Sequence, residues 1–151
     1  MGTSIRLGKV FGIPLGINYS WFLVLLLVTF SLFHQLRAGY PGWATQVTWL
    51  VATVTSLLFF ASVIAHELSH SVVAVRRGIP VKGITLFIFG GVSQISREAQ
   101  RPGTELAVAI VGPLSSIILG VAFWGLAIVL EPVSEHLAAI AWVLFPINIA
   151  L

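Results

Sequence analysis

The chain has 151 residues, of which 58% are apolar and 9% charged, and its net charge is +3 at pH 7. This balance excludes an ordinary soluble domain, whose surface needs far more charge, and matches an integral membrane protein. The basic residues lie between apolar runs and form no stripe, which excludes nucleic-acid binding; with no cysteine, any metal must be held by nitrogen and oxygen.

From the N-terminus, Ile5 to Ile13 reads as extended chain, because Gly8, Gly12 and Pro14 oppose a helix. Four apolar runs follow, at Tyr19–Leu36, Val47–Val75, Glu105–Leu130 and His136–Leu151. A membrane-spanning helix needs about 20 residues, so the runs predict about four transmembrane helices, the last of them cut short. Arg6 and Lys9 ahead of the first run would also suit a signal peptide, but no small-residue cleavage site follows and the run is read as a retained helix. Between the second and third runs, Ile79 to Ser96 is rich in β-branched and aromatic residues and contains Gly90-Gly91. Together with Ile5 to Ile13 it predicts a small β-sheet at, or dipping into, one membrane face; the alternative is a pair of surface loops with some β character.

The charges set the topology. Arg6 and Lys9 precede the first run, and Arg76, Arg77, Lys82, Arg97 and Arg101 lie between the second and third. Two crossings separate these groups, so both lie on one side, which the positive-inside rule makes cytoplasmic. The N-terminus and the sheet are therefore expected there, with Arg37, Glu131 and Glu135 on the opposite side.

The second run carries no charge from Val47 to Ala65 and then reads His66-Glu67-Leu68-Ser69-His70. Residues four apart lie on one helix face, so both imidazoles can reach one metal ion. Glu67 lies beside them and suits a base that takes a proton from metal-activated water. Zn²⁺ fits neutral imidazoles and a hard oxygen ligand best, although Fe²⁺ or Co²⁺ could occupy the same geometry. A pentapeptide with three fixed positions also arises by chance, yet ionisable groups at lipid depth are costly and mark function. At 1.5 Å per residue, His70 and His66 lie about 9 and 15 Å from Arg76, so water must enter from the cytoplasmic side.

Thr48, Thr55, Ser62 and Ser69 recur every seven residues on this helix. They place the motif on a face of small polar groups turned toward the bundle interior. In the third run Gly112, Ser116 and Gly120 have a small-xxx-small spacing that permits close helix contact, and Pro113 should bend that helix or loosen its hydrogen bonding. His34 and His136 lie at span ends and read as interfacial residues.

The His66–His70 motif at a helix end, Phe89-Gly90-Gly91 after an extended run, and Gly112-Pro113 in the next helix together resemble the site-2 protease family of intramembrane zinc metalloproteases. The opening Ile5 to Pro14 resembles its prokaryotic branch, which often carries C-terminal CBS domains. The resemblance implies a zinc endopeptidase that cleaves transmembrane segments of substrate proteins within the bilayer, with His66 and His70 as metal ligands and Glu67 as catalytic base. It also implies that the strand before the Gly90-Gly91 turn pairs with the unwound substrate, through residues near Phe87, Ile88, Phe89, Gly90, Gly91 and Val92. The family's third ligand is an aspartate in a Leu-Asp-Gly motif, and this sequence contains no aspartate. Asn148 to Leu151 resembles the residues just upstream of that motif, so residues 1–151 are expected to be a single membrane-embedded domain truncated before it. Glu131 and Glu135 lie at the wrong membrane face to substitute, and Glu98 and Glu105 suit the interface and a helix N-terminus. Two other readings of the same residues are a metal-binding transporter or sensor and a non-catalytic membrane scaffold.

Overall fold

The computed structural model describes residues 4–95 and 102–151. Its elements run β1 (Ser4–Val10), β2 (Ile13–Asn18), α1 (Ser20–Gly39), α2 (Thr45–Arg76), β3 (Val81–Phe87), β4 (Gly90–Ile95), α3 (Pro102–Leu130) and α4 (Glu135–Ala150). This is the expected helical membrane protein with a small sheet. Helices α1, α2 and α3 are long and apolar enough to cross a membrane, whereas α4 is a shorter apolar helix of 16 residues. Arg97, Glu98 and Arg101, placed by the sequence between β4 and α3, lie outside the described residues.

The bundle is apolar outside and polar inside. Leu26, Phe30, Leu106, Ile118 and Val121 are exposed, while Thr48, Thr55, Ser56, Ser62, Ser71 and Ser116 are buried. The buried hydroxyls of α2 satisfy themselves along the helix: Thr55 Oγ1 donates to Val51 O at 2.7 Å and Ser62 Oγ to Leu58 O at 3.0 Å. Back-bonding of this kind removes the cost of placing a hydroxyl among apolar groups. Ser56 also accepts from Thr29 of α1 at 3.0 Å, which ties the first two helices together.

Local signals end α2 where the charges begin. Gly78 has φ 78°, a left-handed conformation that glycine adopts without penalty. It lets Ile79 N donate to Ala74 O at 2.9 Å and Gly78 N to Val75 O at 3.0 Å, the paired bonds of a Schellman cap. At the other end Trp43 is pinned by three partners. Its Nε1 donates to Glu135 at 2.7 Å, its carbonyl accepts from Arg37 at 2.5 Å, and its ring stacks on Tyr40. His136 packs on the same indole, and His34 packs edge-on against Phe30 and Phe33, in keeping with interfacial roles for both.

The four strands form one sheet in the order β1-β2-β3-β4, with β2 and β3 parallel and the outer pairs antiparallel. Ile13 to Asn18 forms a second strand that the sequence pattern did not single out. The β1–β2 hairpin closes through Phe11 and Gly12, both at positive φ, which matches the twist of a two-residue hairpin. Ile13, Ile17, Ile84 and Leu86 are buried, and Ile17 and Leu86 pack with Trp21 of α1 and Phe60 and Val63 of α2. The sheet therefore lies alongside the last turns of α2, so it does dip into the helical layer. The β3–β4 turn occupies Ile88 and Phe89, two positions before Gly90-Gly91, and the glycine pair opens β4.

Helix α4 runs parallel to α2. Ala139 packs with Val51 and Ala52, and Leu151, twelve residues on, packs against Phe60 and Val63. Helix α3 is the intermediary: a Cβ at Gly120 would lie 2.7 Å from Ile149 Cδ1 and 3.3 Å from Ile149 N. Gly120→Val is expected to push α3 and α4 apart and cost about 1–3 kcal/mol. Thermal unfolding in detergent should report the loss, and Ile149→Ala should recover part of it.

Candidate metal centre and base

The active residues sit on three elements that meet near the end of α2. His66 and His70 lie on one face of the helix, as their spacing predicts, and their Nε2 atoms approach to 3.1 Å. Each ring is held from behind by α3. His70 Nδ1 lies 2.5 Å from Val108 O, and His66 Nδ1 lies 2.8 Å from Ser116 Oγ. A carbonyl can only accept, so His70 carries its proton on Nδ1 and turns an unprotonated Nε2 toward His66. Ser116, fully buried, holds His66 Nδ1 from the same helix through a hydroxyl that can donate or accept. Partners on the outer nitrogen fix the tautomer and aim of a metal-binding imidazole.

Val108, Gly112 and Ser116 are spaced four apart on antiparallel α3, and Gly112 falls between the two anchors. A Cβ there would collide with His70 Nε2 and lie 2.7 Å from His66 Nε2. The small-residue stripe thus does more than permit helix contact. Its first member leaves room for the converging nitrogens, its second binds an imidazole, and its third receives α4. Helix α3 is continuous through Pro113, whose missing amide leaves Ala109 O without its usual helical donor.

Glu67 faces the sheet. A Cβ at Gly91 would lie 2.8 Å from Glu67 Cγ, so only glycine lets β4 pass this close. Two residues along, on the same strand face, Ser93 Oγ lies 2.7 Å from Glu67 Oε2. Ser93 and Ser116 were not legible as site residues, since serine is common in membrane helices and in strands and neither lies near the motif in sequence. Of the residues expected to meet a substrate, Phe87 ends β3, Ile88 and Phe89 form the turn, and Gly90, Gly91 and Val92 open β4. Phe89 is 87% exposed. Strand β3 is paired on both sides, through Ile84–Leu86 to β2 and along β4, so among the described residues the free edge near Glu67 belongs to β4. Glu135 is bonded to Trp43 at the far end of the bundle and Glu105 lies in the first turn of α3. Among the described residues, no cluster of three or more metal-binding side chains is formed.

Comparison with known proteins agrees with this arrangement. The profile of peptidase family M50 matches residues 54–145, which includes the motif, strands β3 and β4, all of α3 and most of α4. A candidate zinc metalloprotease of Synechocystis, sll0528, is 46% identical over the whole chain, and the candidate zinc metalloprotease Rip3 of Mycobacterium tuberculosis is 35% identical over the same length. The chain spans 39% of each of these relatives. The solved site-2 protease of Methanocaldococcus jannaschii superposes with a TM-score of 0.59 at 26% identity, covering 97% of this chain and 62% of that one.

The donor set fits a metal ion of this kind. Two imidazole nitrogens about 2.0–2.1 Å from a tetrahedral zinc ion would be about 3.3 Å apart, close to the spacing in the structure. Ser116→Ala is expected to weaken zinc binding by about 10–100-fold while preserving the fold. Gly112→Ala should abolish high-affinity binding, because its methyl group displaces His70. Competition against a chromophoric chelator, with circular dichroism as the control for folding, checks both. The match across residues 54–145, the close relatives and the superposed fold establish that the chain belongs to peptidase family M50, the site-2 protease family.

Proposed function

We propose that this chain forms the water-activating part of an intramembrane zinc metalloprotease that hydrolyses peptide bonds within transmembrane segments of other proteins. The observation that carries the reading is the convergence of His66 and His70 beside Glu67, next to the unpaired edge of β4, at the end of an apolar helix. His66 and His70 are two of the metal ligands. A bound zinc ion would supply Lewis acidity and lower the pKa of water in its coordination sphere.

Glu67 takes the proton from the attacking water and passes it to the leaving amine, which makes it the catalytic residue of this chain. Ser116 and Val108 O hold the imidazoles so that neither ring rotates during the reaction. Two histidines leave a third protein ligand to be supplied, which in the family is the aspartate of a Leu-Asp-Gly motif.

A transmembrane substrate must first lose its helix, because helical peptide bonds are shielded and already hydrogen-bonded. The free edge of β4 offers a replacement ladder for the released N–H and C=O groups. Unpaired backbone is costly at membrane depth, so an incoming strand would satisfy the edge as well as itself. In this reading Phe87 to Val92 contact the substrate, with the edge of β4 from Gly90 onward doing the pairing and the turn guiding entry. The sheet and N-terminus face the cytoplasm, from which water reaches the site.

Glu67→Gln in the full chain, reconstituted in nanodiscs, is expected to lower cleavage of a single-span substrate by about 10²–10⁴-fold while zinc content stays unchanged. Metal-dependent cleavage at the wild-type rate would overturn the assignment.

A further inference from the structure

We infer that Ser93 is a positioning residue for Glu67, so that the strand that would receive substrate also sets the catalytic base; this rests on the general-base reading above. A serine on the inward face of a strand, against an apolar helix, costs free energy unless its hydroxyl is bonded. Two acceptors are within reach, Glu67 O at 3.2 Å and Glu67 Oε2 at 2.7 Å. The hydroxyl has one proton, and the shorter contact to a carboxylate is the stronger, charge-assisted bond.

A second hydroxyl sets the direction of this bond. Ser71, fully buried one turn beyond Glu67 on α2, donates to Ser93 Oγ at 3.1 Å. With its acceptor site engaged by Ser71, Ser93 turns its own proton to Glu67. The chain of bonds runs from Ser71 to Ser93 to the Glu67 side-chain oxygen. Among the described residues, Glu67 Oε1 makes no hydrogen bond, so one carboxylate oxygen is anchored and the other is left to face water.

The anchor is on β4, outside the helix that carries the base. Gly91 and Ser93 share the inward face of that strand, and the bare Cα at Gly91 lets it close on Glu67. A substrate strand pairing along the outer edge would steady β4 and, through Ser93, hold Glu67 in register with the peptide that has just docked. Binding and proton transfer are thereby coupled through one hydroxyl.

The test uses the full chain in nanodiscs and a dye-labelled single-span peptide that the wild-type protein cleaves. Ser93→Ala is expected to lower kcat about tenfold with KM little changed, and Ser93→Thr, which keeps the hydroxyl, should stay within about threefold of wild type. A second readout does not depend on activity: in zinc-free protein, Ser93→Ala should lower the unfolding temperature in the wild-type background and have a much smaller effect alongside Glu67→Ala. Inactive Glu67→Gln with fully active Ser93→Ala would overturn this inference and leave the general-base reading standing. Equal losses in Ser93→Ala and Ser93→Thr, or additive unfolding shifts, would also overturn it. Active Glu67→Gln would overturn the general-base reading and this inference with it.

Discussion

A polar group placed inside an apolar bundle must find its hydrogen bond within the protein, because lipid offers none. Each unpaired buried donor or acceptor costs about 1–3 kcal/mol, a large share of what holds a domain of this size together. Apart from Trp21 Nε1 and Asn148 Oδ1, which are buried without a partner, the structure meets this demand differently at each level. Hydroxyls far from the motif return to their own helix, as Thr55 and Ser62 do. The ionisable groups of the motif reach across to other elements, and those longer-range bonds tie α3 and β4 to α2.

The ionisable residues of the motif are thus divided between two neighbouring elements. His66 and His70 turn toward α3, which supplies one side-chain oxygen and one backbone oxygen. Glu67, between them in sequence, turns the other way and meets the sheet. The two histidines and the glutamate are therefore fixed by different parts of the fold, even though they share two turns of one helix. Close approach on both sides depends on glycine. Gly112 and Gly91 allow backbone to come within reach of the imidazoles and the carboxylate, where any side chain would intervene.

Much of this was legible from local pattern. Helix spacing places His66 and His70 together, charge placement marks the end of α2, and the apolar runs locate the helices to within a few residues. The heptad of small polar residues identifies the inward face, since Thr48, Thr55 and Ser62 are all buried. What escaped is tertiary. Ser116 lies 50 residues from His66 and Ser93 lies 26 from Glu67, and no periodicity links such pairs. A serine in a membrane helix reads equally well as packing or as a ligand's partner. Strand β2 was obscured because Pro14 and Gly16 dilute its pattern, and its pairing with β3 spans two intervening helices. The glycine pair reads as a turn on composition alone; the need for a bare Cα over Glu67 becomes visible only in three dimensions.

The alternation of side chains along β4 has a consequence for how such a protein can diverge. Gly91 and Ser93 point inward and are constrained by the base they touch, whereas Val92 and Gln94 point outward and are exposed. One short strand therefore carries two kinds of position in strict alternation. If β4 receives substrate as proposed, drift at the outward residues changes which sequences are accepted without disturbing the residues beneath. A slip of one residue in strand register, by contrast, would exchange the two sets of positions.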